Sequence, residues 1–329
     1  MTKKAWLSGI FWACLILHIS AQSLQERGIA LPEGYRFPQK NTFTILSWNV
    51  EHFVDEFDNP YIRNEREDVK DSQAQAEVQR KIALLVKALR QANADIVVLQ
   101  EFESMAFLRQ IAREHLADMG YQFFAASESP DWYMNVVIMS RYPMGITYGY
   151  RSLYTPLPGI KNNGGEERTQ ININSRIVAQ EIFIRPDLAF LLTGVHLKAG
   201  RNQEDVATRI GQIKAIQYQL LQLKKRNKHL PMVLAGDFNS LEGSAEMNEL
   251  LHKNNPLQWR DPWQGKNALT HPADNPERRL DYILANKIMA KWIQPQTAII
   301  GGLFADEPTA QRTMSDHLPV QITFSIPTK

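Results

Sequence analysis

Nine side chains that can bind a hard cation, take up a proton or carry positive charge stand where apolar runs of this sequence stop: Asn49, Glu51, Glu101, His196, Asp237, Asn239, Asp281, Asp316 and His317. The run Met232-Val233-Leu234-Ala235 halts at Gly236-Asp237-Phe238-Asn239. There Asp237 can accept a proton, and the Asn239 amide can both donate and accept. One such strand end can equally be a turn. Here the pattern recurs. Residues 43–48 lead to Asn49 and Glu51, which on an extended chain face the same side. Residues 95–99 deliver Glu101, and 188–195 deliver His196. Asp281 is the second residue of an apolar strand, a costly place for a carboxylate without a partner. Ser315-Asp316-His317 precedes the last strand, 318–324. Carboxylates and amides without cysteine suit Mg²⁺, Mn²⁺ or Ca²⁺ better than zinc. Glycine-rich nucleotide loops and a GxSxG elbow are both absent, which argues against a nucleotide cofactor and a serine hydrolase. The set suits metal-assisted phosphoester hydrolysis: a cation polarises a phosphoryl oxygen, a carboxylate activates water and an imidazolium offsets the charge that develops.

The elements that must position these groups alternate between aliphatic strands and amphipathic helices, which predicts an α/β or α+β fold. Val78, Ile82, Leu85 and Leu89 form a helical stripe, and residues 106–119 read as a second helix. Strands are expected at 121–125 and 134–140. Between Arg141 and Gln170, repeated Pro and Gly predict irregular chain. Tyr142, Tyr148, Tyr150 and Tyr154 alternate there with Arg141 and Arg151, a mix that can stack on bases or form a packed loop. Arg176, just beyond, is a candidate substrate contact. Residues 171–184 and 188–195 read as a strand pair around Arg185-Pro186-Asp187. Asn202 and Asp205 cap a helix whose stripe is Val206, Ile210, Ile213, Gln217 and Leu220. A short helix is expected at 245–252, then a loop with Trp259, Asp261, Trp263, Thr270, His271, Arg278 and Arg279.

The first residues carry an address instead of a fold. Lys3 and Lys4 precede apolar residues 5–19 and then Ser20-Ala21-Gln22-Ser23, the order of a secretory signal, so 1–21 is expected to be removed. The apolar stretch is short for a membrane span. Residues 22–40, with Pro32, Gly34 and Pro38, read as a linker, and 41–329 as one domain. Cys14 is the only cysteine among 329 residues, so the mature chain can form no internal disulfide. Lys3 and Lys4 belong to the 37 bases; without them the bases equal the 35 acids. A formally neutral chain does not hold nucleic acid by bulk charge. The segment 51–77 is acidic, however, and 141–225 is basic.

Ser-Trp-Asn-Val-Glu at 47–51, Leu-Gln-Glu at 99–101, His-Leu-Lys at 196–198, Gly-Asp-Phe-Asn at 236–239, Leu-Asp-Tyr-Ile at 280–283 and Ser-Asp-His-Leu-Pro at 315–319 resemble, in order, the motifs of the endonuclease/exonuclease/phosphatase family. The resemblance spans about 43–324. It implies a four-layer sandwich of two packed mixed β-sheets flanked by helices, with the site at one rim. It implies Glu101 as principal metal ligand, with Glu51 and Asp316 on the metal side and Asn49 orienting phosphate or metal-bound water. Asp237 would deprotonate the attacking water, and Asn239 would hold it. His317, supported by Asp281, would contact the scissile phosphate, and His196 resembles the second histidine of the deoxyribonuclease and sphingomyelinase branches. Leu280-Asp281-Tyr282 differs from the Cys-Asp-Arg of inositol polyphosphate 5-phosphatases, and Phe238 from the usual tryptophan of abasic-site endonucleases. The expectation is an exported, monomeric, Mg²⁺- or Mn²⁺-dependent phosphodiesterase acting on nucleic acid, with no protein partner. A phospholipid head-group hydrolase, a phosphatase and an inactive binding protein are the alternatives.

Overall fold

The computed structural model describes residues 24–55, 72–128, 134–150, 153–170, 176–304 and 307–328. Residues 1–21, expected to be a secretory signal, Arg151 and positions 171–175 of the expected strand 171–184 lie outside the described residues. In chain order the elements are β1 Thr42–Phe53, α1 Ser72–Ala92, β2 Ile96–Phe102, α2 Met105–His115, β3 Phe123–Ala126, β4 Asn135–Ser140, β5 Met144–Gly149, β6 Thr155–Lys161 and β7 Glu167–Gln170. They continue with β8 Ile177–Arg185, β9 Leu188–His196, α3 Gln203–Arg226, β10 Met232–Asp237, α4 Ala245–Leu251, β11 Asp281–Ala285, β12 Ile299–Ile300, α5 Pro308–Met314 and β13 Val320–Ser325.

Two mixed sheets face each other, ordered β12-β13-β1-β2-β4-β3 and β11-β10-β9-β8-β5. Pairs β1–β2 and β9–β10 are parallel, and the other pairs of these sheets are antiparallel. Strand alternation sorts the side chains. Phe43, Ile45, Ile96, Val98, Phe190, Leu192, Val233, Ala235, Ile283 and Ala285 fill the layer between the sheets. Their neighbours Leu46, Trp48, Val97 and Leu99 turn outward, in a cluster that includes Leu85, Leu89, Leu108 and Met314 of α1, α2 and α5. On the other side Leu191, Val195, Leu234 and Leu284 turn outward with Ile213, Ile216, Leu220 and Leu250 of α3 and α4. The result is the helix–sheet–sheet–helix sandwich implied by the motifs.

The α1 stripe is buried as the sequence requires. Asn202 and Asp205 make the reciprocal capping box that starts α3. Two expectations need correction. Residues 141–170 are less irregular than their Pro and Gly content suggests, since β5 pairs with β8 and β6 with β7. Proline is tolerated in strands outside the central ladders, which is how Pro156 and Pro158 fit into β6. The buried face of α3 is also rotated from the apolar stripe. It includes Arg209 and Gln212, while Val206 and Ile210 are half-buried. Arg209 is buried because Glu246 accepts from its Nε at 2.9 Å and from a terminal nitrogen at 2.7 Å, and Lys198 and Gly200 carbonyls take its other nitrogen. Polar partners placed by the fold, and not apolar content, set that face. Residues 24–40 have no helix or strand but pack on the body: Leu24 is buried, Phe37 adjoins the inter-sheet layer and the Tyr35 hydroxyl donates to the Arg141 carbonyl. No helix among the described residues is long and apolar enough to cross a membrane.

Gly194 occupies an inward position of β9, facing Val98 and Val136 of the other sheet. A Cβ there would lie 2.7 Å from Val136 and 3.0 Å from Val98 side-chain atoms. Gly194→Ala should therefore cost about 1–3 kcal/mol in a denaturant melt. Adding Val136→Ala should cost less than the sum of the single effects, because the two changes relieve each other. Strict additivity would contradict this account of the layer.

Candidate active site

The inward parity that fills the core continues past the last apolar residue of four strands. After Phe43 and Ile45, β1 turns Asn49 inward; after Phe190 and Leu192, β9 turns His196 inward; after Val233 and Ala235, β10 turns Asp237 inward. Asp281 precedes Ile283 and Ala285 on the same face of β11. All four side chains meet at one rim, and each is at most 3 % exposed. The pairing keeps them level, since Asp237 lies opposite His196 on one side and Asp281 on the other. Gly236 permits this closeness, because a Cβ would stand 1.9 Å from the Val195 carbonyl oxygen and its φ is +147°.

Asn49 is the hub. Its Nδ2 donates to Glu101 Oε1 at 3.0 Å and to Asp237 Oδ2 at 3.1 Å, which holds two carboxylates from opposite sheets in one geometry. Asp237 also accepts from the Asn239 amide N–H at 2.8 Å and its side chain at 3.2 Å. His317 arrives on the segment before β13. Its Nδ1 donates to Asp281 Oδ2 at 2.8 Å, and its Nε2 lies 3.9 Å from Asp237 Oδ2. Trp48 Nε1 donates to the His317 carbonyl and Ser315 Oγ to the Asn49 carbonyl, anchoring that segment to β1. His196 Nε2 stands 3.6 Å from Glu101 and 3.8 Å from Asp237. Half-buried Arg176 donates to the His196 carbonyl, at 3.4 Å.

Backbone strain gathers at the same place. Glu51, His52, Glu101 and Asn239 are non-glycine residues with φ of 47°, 49°, 57° and 49°. Such conformations persist only where surrounding contacts impose them. The first three coincide with register shifts between β1 and β2 and between β2 and β4. The shift changes one expectation: the chain is not extended at Glu51, so Asn49 and Glu51 do not simply share a face. Glu51 Oε2 accepts from Arg312 and from the Asp316 N–H, both at 2.8 Å. Asp316 Oδ2 lies 3.2 Å from His271 Nε2, and its Oδ1 lies 3.8 Å from His317 Nε2.

Burial and charge divide the titrating groups. Burial pushes Asp237 up to about 7, against the pull of cationic His317 and two amides. Burial opposes charge on His317 as well, but Asp281 and then Asp237 overcome it and raise the imidazole to about 10. Burial, aided by Arg176 and His317, drives His196 down to about 3 although Glu101 opposes this. Glu101 stays below its ordinary value: burial works against ionisation, and the hydrogen bonds from the Asn49 amide and the His52 N–H help to outweigh it. Near neutral pH the rim therefore offers a carboxylate poised to take a proton, an imidazolium and a neutral imidazole, the mixture general acid–base chemistry needs.

Glu101, Glu51 and Asp316 are the site carboxylates that keep some exposure, and with the Asn49 amide they form an oxygen-rich set that fits a hard divalent cation. Buried Asp281 Oδ1 has no hydrogen-bond partner, so the rim has a lone pair to spare. Ligand atoms of Asp237, Asp281 and His317 also lie within 4.8 Å of one another. In that trio, however, the 2.8 Å His317–Asp281 hydrogen bond already compensates the charge with a proton. Sequence reasoning named His52 in no role, although its backbone N–H donates to Glu101 Oε2 at 3.0 Å and its ring lies 3.8 Å from the same oxygen. It also left His271 in a loop. On an extended chain His52 would face away from Asn49 and Glu51, and His271 follows no apolar run, so the signal that found the others could not find them.

A two-sheet sandwich carrying this rim defines a class, the phosphoester hydrolases. Residues 46–317 match the model of the Endonuclease/Exonuclease/phosphatase family, and the chain belongs to that family, whose members are divalent-metal-dependent phosphoric ester hydrolases. No curated protein matches the sequence. Among solved structures, the human Nocturnin catalytic domain with bound sulfate is 17% identical at a TM-score of 0.58, covering 87% of this chain and 95% of that one. D. rerio TDP2 complexed with a single-strand DNA product is 17% identical at 0.57, covering 87% and 100%. An endonuclease/exonuclease/phosphatase from Beutenbergia cavernae DSM 12333 is 19% identical at 0.52, covering 87% and 72%. These likenesses concern the fold.

His317 gains its proton affinity on folding, so its share of stability is complete below its ordinary value of 6.5 and is lost as pH rises towards about 10. The test uses metal-free protein in an Asp237→Asn background, which removes the carboxylate titrating in the same range. From about pH 7 to 9 unfolding free energy should fall with a slope of up to about 1.4 kcal/mol per pH unit from this group. Adding His317→Gln should abolish that slope. Parallel profiles would contradict the assigned charge state.

Proposed function

We propose that the protein is an exported, metal-dependent phosphodiesterase that hydrolyses nucleic acid. The observation that carries the reading is the buried Asp237 carboxylate, raised to about 7 and set 3.9 Å from a histidine held as a cation by Asp281. A group of that kind takes a proton from water near neutrality, and Asn239 and Asn49 fix its orientation so that one oxygen faces the attacking water. His317, cationic and aimed at the same spot, offsets the negative charge that grows on the phosphoryl oxygens. Neutral His196, with Arg176 behind it, is placed to donate to a phosphate oxygen or the departing alkoxide. A Mg²⁺ or Mn²⁺ ion held by Glu101, with Asn49 and the Asp316 side of the rim nearby, would polarise a phosphoryl oxygen when bound.

Nucleic acid is favoured by the hairpin of β6 and β7, which is linked to the loop after His196. Gln212 bridges them, accepting from the Lys198 N–H at 3.1 Å and donating to Gln170 at 3.4 Å. This hairpin carries Lys161 and Arg168 beside Glu166 and Glu167, with Arg168 paired to Glu204 at 2.9 Å, and Tyr154 next to it is 71% exposed. An exposed aromatic ring beside a phosphodiester site suits a strand whose bases stack. The relative bound to a single-strand DNA product supports the same substrate class. The export reading rests on residues 1–21 alone and predicts a mature chain beginning near Gln22, which mass spectrometry of the secreted protein would verify.

Supercoiled plasmid should be nicked with Mg²⁺ or Mn²⁺ and not with EDTA, and Asp237→Ala should lower the rate by about 10²–10⁴-fold. Glu101→Gln should raise the metal concentration needed for half-maximal rate. Nicking that persists in EDTA, or in Asp237→Ala, would overturn the mechanism. Hydrolysis of a phospholipid head-group diester without nicking would move the substrate to lipid.

A further inference from the structure

His271 lies outside the motif residues, yet it is fixed against two of them. The stretch between α4 and β11 folds back on itself: His271 and Arg278 exchange backbone hydrogen bonds at 3.0 and 3.1 Å. It is also bonded to the segment before β13, the Ala273 N–H donating to the Asp316 carbonyl at 2.8 Å and the Leu318 N–H to the Thr270 carbonyl at 2.8 Å. These bonds flank His271 on one strand and Asp316-His317 on the other, so the histidine has little freedom relative to them.

Its ring has two defined partners. Arg278 Nε and one terminal nitrogen converge on His271 Nδ1, at 3.1 and 3.0 Å. A guanidinium can only donate, so Nδ1 must supply its lone pair and the ring proton must sit on Nε2. That nitrogen is 3.2 Å from Asp316 Oδ2. The ring meets His317 edge-on, with centroids 4.7 Å apart. His271, Asp316 and His317 are close enough, within 4.8 Å, to suggest a metal site. An Nε2 that carries a proton has no lone pair to offer a cation.

We propose that His271 is a positioning residue, locked by Arg278 as the Nε2-protonated imidazole, which orients Asp316 and steadies the His317 ring, and that it is not a metal ligand. Held in this way, Asp316 presents its other oxygen towards His317 Nε2, and His317 keeps the alignment that points it at Asp237. The proposal deepens the phosphoester reading of the rim and rests on it.

The test compares His271→Gln, whose amide can still donate to Asp316, with His271→Phe, which keeps the ring contact and loses the donor, and with Arg278→Met. Each is first shown to fold by its thermal melt. Bis(p-nitrophenyl) phosphate with Mn²⁺ serves as substrate, so that nucleic-acid specificity is not at issue. His271→Phe and Arg278→Met should lower kcat by about 10–100-fold with KM little changed, the range seen for groups that orient a reactive shell. His271→Gln should recover most of the loss. Mn²⁺ binding followed by electron paramagnetic resonance should keep the same stoichiometry in both His271 variants. Nitrogen-detected NMR of the wild type should show the Nε2–H tautomer at His271. Loss of a bound Mn²⁺ in His271→Gln, full kcat in His271→Phe, or an Nδ1–H tautomer would each overturn the proposal. Should the wild type not cleave the diester at all, the phosphoester reading fails, while the tautomer and the Mn²⁺ isotherm still decide the role of His271.

Discussion

Two sheets packed face to face share one inward-facing set of side chains per strand, and the remaining features of this protein depend on that alternation. Because successive side chains point to opposite faces, a strand whose inner positions are Val233 and Ala235 must turn Asp237 into the same layer. The rule places Asn49, His196 and Asp281 there too, so the candidate site is the last row of the core, with polar residues in apolar positions. A one-residue register slip in any of the four would swing its group to the helix side. Parallel pairing of β9 with β10 and antiparallel pairing of β10 with β11 bring His196, Asp237 and Asp281 level across three adjacent strands.

Burial in that row is costly for charged groups and is also what makes them reactive. Asp237 and His317 move towards each other's charge preference, one raised by desolvation and the other held cationic by Asp281. Asn49 contributes no charge and joins the sheets, since one amide nitrogen donates to carboxylates that reach the rim from both sides. The strained backbone at Glu51, His52, Glu101 and Asn239 belongs to the same compromise. Turning the ends of β1, β2 and β10 around a common point needs conformations that an extended strand does not supply.

Much of this was legible in the sequence because it depends on local rules. An apolar run ending in a carboxylate or an imidazole located β2, β9 and β10, and the misplaced acid of β11 pointed to a partner. The motif order identified the family and the sandwich. What escaped depends on tertiary contacts. Strands β5, β6 and β7 were hidden by Pro and Gly that interior strands reject and these strands accept. The buried face of α3 could not be read from hydropathy, because Arg209 is neutralised by Glu246, a residue of another helix. Glu51 looked coplanar with Asn49 until a positive φ turned it towards Arg312 and the Asp316 N–H. His271 acquires meaning only from Arg278, whose hydrogen bonds fix the ring nitrogen that carries the proton.

In the proposed mechanism, water deprotonated by Asp237 attacks phosphorus directly while His317 offsets the charge. The most direct test is the stereochemical course at phosphorus in a chiral phosphorothioate diester, cleaved in isotopically labelled water. A single in-line displacement predicts inversion. Retention would mean two displacements through a phosphorylated side chain, with Asp237 or His317 as nucleophile, and would contradict the account.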